Sequence, residues 1–371
     1  MIILLRCNDL NPDPRVDKYI QYFEQNKIEY KLVGWDRKCE NLKKKNTIYF
    51  YEKSNYGDRR KNILKKIKWN LFLVKLLIKN RNSYNIIHAC DFDTAFPSLI
   101  MKFFKKKIIF DVFDWIGDSN LSGIFIIDFL IKKLECFTAN NCDQIIICDE
   151  NRKKQMNIKE KNKKNIIVLP NIPSIKESTI KNIKLKKKNK EKLYISYVGV
   201  FDKSRNLKEL LEVVKKNKNL ILDIAGFGIM EDLIKKYSNE NNNIRFHGKV
   251  NYLRGLEIMK NSDLIYAMYS KKVSNHIFAA PNKYYEAMML ENPLITTKGT
   301  LIGNNVEKNK IGFVIEEDIY SLEIILNNKN IKEEIIVFKK NQKKLWEKDF
   351  KNYVEFFMKN DYSKILMKGK F

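Results

Sequence analysis

The run Ala280-Pro281-Asn282-Lys283-Tyr284-Tyr285-Glu286-Ala287-Met288 sets a proline, a lysine and a glutamate at the spacing of one helix entry. Proline suits the first helical turn. The unbonded N–H groups and positive end of that turn favour a phosphate, and Lys283 adds a full charge beside them. Glu286 lies four residues after Asn282 and shares its face. Its carboxylate could accept from both hydroxyls of a ribose while the helix end holds a diphosphate. The competing reading is an ordinary surface glutamate on an amphipathic helix. Two further segments read as strand, glycine turn, helix: Asp223 to Gly228, with Gly226 and Gly228, and Ser196 to Leu207, with Gly199 and Arg205. Ligands collect at such strand ends in open α/β sheets. Glu231 occupies the third-glycine position of a dinucleotide fingerprint, so that motif fails. Arg205 could fork onto a phosphate better than Lys203; otherwise it is a solvent-facing loop arginine.

These groups need a scaffold, and the chain alternates in the required way. Runs at 2–5, 86–88, 108–110 and 145–147 read as buried parallel strands, each followed by a helical segment, and 28–34 returns as a strand. Val16, Tyr19, Ile20 and Phe23 make one helical stripe. The pattern stops near Pro170, and the lysine-rich stretch to 192 reads as a linker. A second series follows, with strands expected at 194–198, 220–225, 244–246, 263–268 and 293–296. Helices are expected at 207–216, 229–237, 253–259 and 283–290, and the chain after 315 reads mostly as helix. The expected division is 1–172, a linker 173–192, 193–345, and terminal helices 346–371.

At 371 residues with 44% hydrophobic and 12% aromatic content, the chain can bury two cores of normal size. No apolar run reaches the roughly 18–20 residues that span a bilayer, and Arg6 cuts the first one too short for a signal peptide. A cytoplasmic location is expected. Six scattered cysteines and three histidines give no zinc spacing. The net charge of +27 is a solvated lysine-rich surface or the mark of an anionic partner. Nucleic acid is disfavoured, because no base-reading module or basic-aromatic repeat is present. Segment 59–81 carries nine basic residues and no acidic one, interleaved with Trp69, Leu71, Phe72, Leu73, Leu76 and Leu77. It reads either as a peripheral contact with an anionic membrane or as a helix packed on the first sheet.

Together these segments resemble the family 4 glycosyltransferases over nearly the whole chain, in a branch with a Pro-Asn-Lys-x-x-Glu-Ala-Met motif. The resemblance implies the GT-B fold: two Rossmann-like α/β domains facing across a cleft, with C-terminal helices crossing back to the N-terminal domain. Residues 11–18, 34–37, 88–94 and 167–171 look like the family's N-terminal landmarks. By resemblance, Glu286 grips the donor ribose, Asn282, Lys283 and Arg205 neighbour its diphosphate, and Gly199, Gly226 and Gly228 line the donor half. Phe278 stands at the first glutamate of the family's Glu-x7-Glu motif, Val200 at a second phosphate-binding cation, and Phe113 at a histidine. Asn11, Arg15 and Asp93 fall on the acceptor side, with Asp91, Asp111 and Asp114 as catalytic candidates; some of these aspartates could be plain strand-end caps.

The activity implied is a retaining transfer without metal or other cofactor, from a nucleoside-diphosphate sugar to a bacterial surface-glycan precursor. That acceptor would be a capsule, O-antigen or similar lipid-linked polymer, with UDP favoured for the donor. Asp91-Phe92-Asp93 has the form of a metal-binding Asp-x-Asp but lies in the acceptor half. A sugar-nucleotide epimerase of the same fold, or a catalytically degenerate subunit that binds a glycan or a true transferase, are the competing functions.

Overall fold

Seven strands make the first sheet: β1 (Ile2–Arg6), β2 (Tyr30–Asp36), β3 (Thr47–Tyr51), β4 (Ile86–Cys90), β5 (Lys107–Val112), β6 (Gln144–Ile147) and β7 (Ile166–Val168). Their order is β3-β2-β1-β4-β5-β6-β7, and every pairing is parallel. The computed structural model describes residues 1–10, 13–54, 59–118, 124–159, 165–175 and 177–367. Because side chains alternate along a strand, β1 sends Ile3 and Leu5 into one core and Ile2 and Leu4 into another. That two-sided burial explains the unbroken apolar runs. The first core holds Trp69, Leu73 and Leu77 of the helix Arg59–Lys79. The second holds Val16, Tyr19 and Phe23 of the helix Pro14–Gln25, together with Phe357, Met358, Tyr362, Ile365 and Leu366 from the end of the chain. The helix Pro14–Gln25 starts where Asp13 caps it, its carboxylate accepting from the Val16 N–H at 3.2 Å.

The second sheet runs β10-β9-β8-β11-β12-β13, again all parallel. Its strands are β8 (Leu193–Val200), β9 (Leu220–Phe227), β10 (Ile244–Phe246), β11 (Leu264–Ala267), β12 (Leu294–Thr297) and β13 (Gly312–Ile315). Counted from β8, this is the 3-2-1-4-5-6 order of a dinucleotide-binding sheet, with its switch point between β8 and β11. The first sheet has the same order with β7 added, and its switch point lies between β1 and β4. The helix Asn282–Leu290 joins β11 to β12, so it begins at the carboxyl edge.

The chain divides into two compact units, Met1–Pro170 with Tyr353–Phe371, and Asn171–Asn352. Segment 173–192, expected as a linker, contains the short helix Glu177–Lys181. It is tied to the second unit: the Lys186 N–H donates to Asn261 at 2.7 Å, and Lys188 pairs with Asp263 at 2.7 Å. Strands β3, β7 and β13 lie outside the expected set. All three are edge strands. Among the described residues no helix is long and apolar enough to cross a membrane.

Candidate functional site

At the carboxyl edge of the second sheet, β8 and β9 run so close that side chains are excluded. A Cβ on Gly226, at φ +149°, would lie 1.8 Å from the Gly199 carbonyl oxygen, and one on Gly228, at φ +148°, 2.5 Å from that of Phe201. The Gly-x-Gly therefore answers first to backbone packing. Beyond β8 the chain turns through Lys203–Arg205, where Asp202 accepts from the Ser204 N–H at 2.9 Å. The turn is fastened to the end of β11 by the Ser270 N–H, which donates to the Ser204 carbonyl at 2.9 Å. The Arg205 guanidinium lies over the Tyr269 ring at 4.3 Å. Its Nη1 is shielded from solvent and has no acceptor among the described residues. A shielded guanidinium N–H without an acceptor is unfavourable, and an anion would satisfy it.

His276 packs its ring edge-on against Tyr269, centroids 5.7 Å apart. Its Nδ1 lies 3.1 Å from the Ser270 carbonyl, which can only accept, so Nδ1 carries the proton. Four residues further, Asn171 Nδ2 donates to the Ala280 carbonyl at 2.8 Å, steadying the entry to the helix Asn282–Leu290. That helix has no side-chain cap; the Tyr284 N–H turns back to the Pro281 carbonyl at 3.1 Å. Glu286, however, is only 1% exposed. Its carboxylate accepts from Lys283 Nζ at 2.7 Å and from the Tyr252 hydroxyl. Burial, with Glu286 beside it, pushes the Tyr252 phenol well above its usual range.

The carboxyl edge of the first sheet is crowded with charge that is mostly matched internally, although Arg37, just after β2, buries its Nε without an acceptor among the described residues. Arg15 meets the Asp111 carboxylate from Nη2 at 2.6 Å and donates from Nη1 to the Leu169 carbonyl at 2.7 Å. Tyr19 donates to the same carboxylate at 2.7 Å, and His88 bridges it to Tyr362. Burial would raise Asp111, but Arg15 and His88 hold it well below the usual carboxylate range. Arg6 pairs with Asp13 at 2.8 Å and with Asp91, and stacks over Phe113 at 4.1 Å. Asp91 also accepts from the Phe113 and Asp114 N–H groups. Burial pushes it up to about 6 even so. Its backbone, at φ 67° and ψ 167°, sits in a region that costs a non-glycine residue roughly 1–3 kcal/mol and is commonest at functional sites. Lys18 is buried in the same helix as Arg15, and burial with Arg15 close by lowers its amine to about 7.

Residues 177–344 match the family described as Glycosyl transferases group 1. The chain is a glycosyltransferase with a GT-B fold. Its fold is similar to that of HepE from Anabaena in complex with UDP-glucose, at 11% identity over 98% of this chain and 99% of that one, TM-score 0.70. It is also similar to sucrose-phosphate synthase from Thermosynechococcus elongatus, at 13% identity over 99% of both chains, TM-score 0.68. A third likeness is to UDP-GlcNAc 2-epimerase from Methanocaldococcus jannaschii, at 14% identity over 91% and 98%, TM-score 0.55. No curated protein sequence matches the chain.

For this glycosyltransferase, the candidate donor residues Gly199, Arg205, Gly226, Gly228, Asn282 and Lys283 all fall along one sheet edge. Two expectations change in detail. Lys283 does not stand free for a diphosphate but is bound to Glu286, because three residues along a helix put amine and carboxylate side by side. Arg15 and Asp111, assigned to the acceptor side and to catalysis, neutralise each other in the core. Asp93 accepts from Lys66 at 2.8 Å, while Asp114 is 69% exposed with Arg152 at 3.4 Å. Asn11 lies outside the described residues. The ligating atoms of His88, Cys90 and Asp111 come within 4.8 Å of one another, yet a metal there would compete with the Arg15 guanidinium for the same carboxylate. Tyr252, Tyr269 and His276 were missed. His276, one of three histidines and just ahead of the Pro281 entry, was the one sequence signal available.

Proposed function

We propose that the chain transfers a sugar from a nucleoside-diphosphate sugar, UDP favoured, to a bacterial surface-glycan precursor, with retention at the anomeric carbon and without a metal. A lipid-linked capsule or O-antigen intermediate is the acceptor class. The observation that carries this reading is the unpaired, shielded Nη1 of Arg205 at the switch point between β8 and β11. A diphosphate oxygen supplies the acceptor it lacks. The uncapped start of the helix Asn282–Leu290 adds N–H donors and a positive dipole end at the same edge. The UDP-glucose complex of HepE, a protein of the same fold, supports the choice of donor.

In this reading, an acceptor hydroxyl oxygen bonds to the anomeric carbon as the bond from that carbon to the diphosphate breaks. The hydroxyl proton passes to the departing phosphate oxygen, so no side-chain base is needed and Phe113 is tolerated where a histidine would otherwise stand. Arg205, Lys283 and the helix start meet the charge that grows on the leaving group. Glu286 exchanges its Lys283 contact for the ribose hydroxyls, releasing that amine towards phosphate. Asp91 and Asp114 orient the acceptor.

Thermal denaturation with UDP, GDP and their sugars tests the donor assignment. A nucleotide at about a hundredfold over its Kd should stabilise the wild type by about 2.7 kcal/mol. Arg205→Ala and Glu286→Ala should remove most of that response. A wild type indifferent to every nucleotide, or an Arg205→Ala variant that responds in full, would refute the site. Conversion of the donor alone into an epimer, with no nucleotide released, would favour the epimerase.

A further inference from the structure

The helix Phe125–Asn141 is built inside out. Its inward side carries Glu135, Thr138 and Ala139, and the Glu135 carboxylate accepts from the Ile116 N–H at 3.0 Å and the Gly117 N–H at 2.6 Å. Its outward side carries Phe125, Ile126, Phe129, Leu130, Leu134 and Phe137, which are 83, 68, 49, 53, 39 and 55% exposed. At the helical pitch these six occupy about half the circumference, opposite the three inward residues. Their hydroxyl-free, aromatic-rich surface far exceeds the scattered single apolar residues normal on a protein exterior.

The surroundings extend the surface. The helices Arg59–Lys79, Leu99–Phe104 and Phe125–Asn141 contribute to one core on one face of the first sheet, through Trp69, Met101 and Ala139. On their outer sides Leu64, Ile67, Leu71, Phe103 and Phe104 are also exposed. Trp69, Leu73 and Leu77 point inward, so the aromatic side of segment 59–81 is core. Asp118, Asp143 and Glu52 are paired with Lys132, Lys102 and Lys68 of these helices, and further lysines stand beside the apolar side chains. Lys133 sits among the exposed rings with its ammonium 5.3 Å from the Phe129 centroid, and Lys75, Lys79 and Lys105 are exposed on the neighbouring helices. The outward arc of Phe125–Asn141 contains no carboxylate.

We propose that this helical layer is a membrane-docking face, with Phe125–Asn141 lying in the plane of an anionic bilayer. The apolar side chains enter the boundary between headgroups and acyl chains, and the lysines meet lipid phosphates. A second copy of this chain fits the same surface poorly. An isologous contact would set one lysine-bearing patch against an identical one in a chain of net charge +27. The proposal stands apart from the donor reading, because its readout is binding and not transfer.

Flotation of the full chain with vesicles tests it, comparing phosphatidylcholine alone with phosphatidylcholine mixed with phosphatidylglycerol. The wild type should float with the anionic vesicles and at least tenfold more weakly with the neutral ones. Phe129→Glu with Phe137→Glu should keep the wild-type melting temperature, since both side chains are exposed, and lose at least tenfold in vesicle affinity. Lys133→Glu should weaken anionic binding alone. A wild type that stays with the soluble fraction, or a double variant that floats as the wild type does, overturns the proposal. So does a dimer in sedimentation that the double variant dissociates, since a second copy would then cover the face.

Discussion

The two sheets share one strand order, yet their carboxyl edges use charge in opposite ways. In the first, Arg15 and Asp111 neutralise each other away from solvent, and Arg6 is divided between Asp13 and Asp91. In the second, Arg205 has a shielded N–H with no acceptor among the described residues, and a helix begins without a side-chain cap. The first edge uses most of its charge in its own folding, with Arg37 Nε the exception, while the second leaves Arg205 Nη1 without an acceptor among the described residues, beside a helix start that has no side-chain cap. One topology therefore carries two different charge arrangements at its carboxyl edges. The difference lies in a few side chains after the strands.

The sharpest test of that contrast is the same substitution on each side. Arg15→Met should destabilise the protein by about 3–5 kcal/mol, the cost of stranding a buried carboxylate, read by denaturant titration. Arg205→Met should leave stability within about 1 kcal/mol but lower transfer by about a hundred- to a thousandfold. If Arg205→Met proved as destabilising as Arg15→Met, the two edges would be alike and the contrast would fail.

Lys18 probes the first edge through pH. Its amine titrates near 7 in the fold and near 10.5 when free. Between those values the unfolded chain holds a proton that the folded chain lacks, so Lys18 makes stability rise with pH across that window. Lys18→Met should add roughly 1–3 kcal/mol below pH 7, and the gain should shrink as pH climbs towards 10.5. A gain that is flat with pH would show that Lys18 titrates normally. The smallest effect is expected at the second edge. Tyr252→Phe removes one hydrogen bond to Glu286 and should cost about 1 kcal/mol, with a rise in donor KM larger than any change in kcat.

Much of the architecture could be read from the residues. Unbroken runs such as 108–110 and 145–147 can only be buried on both faces, and the helix at 207–216 has a clear stripe, so the parallel α/β order followed. The placement of Gly199, Gly226, Gly228 and Asn282 at one sheet edge was also readable, because glycine turns and a proline-led helix are local features. The pairing of Lys283 with Glu286 was within reach as well, from their spacing alone.

Other features had no local signal. Phe125–Asn141 is rich in apolar residues, and composition gives no hint that they point away from the sheet. Nor could Arg15 and Asp111, 96 positions apart, be matched by inspection.

The order of residues alone settled most of the strand and helix sequence, the carboxyl-edge turns and the helix entry at Pro281, because period and turn chemistry act over a few neighbouring residues. Only the folded chain decided which charges cancel, which arginine N–H groups are buried without an acceptor among the described residues, and which helix turns its greasy side to the outside. Those outcomes depend on distance and solvent exclusion between segments far apart in the chain, and no short stretch of sequence encodes them.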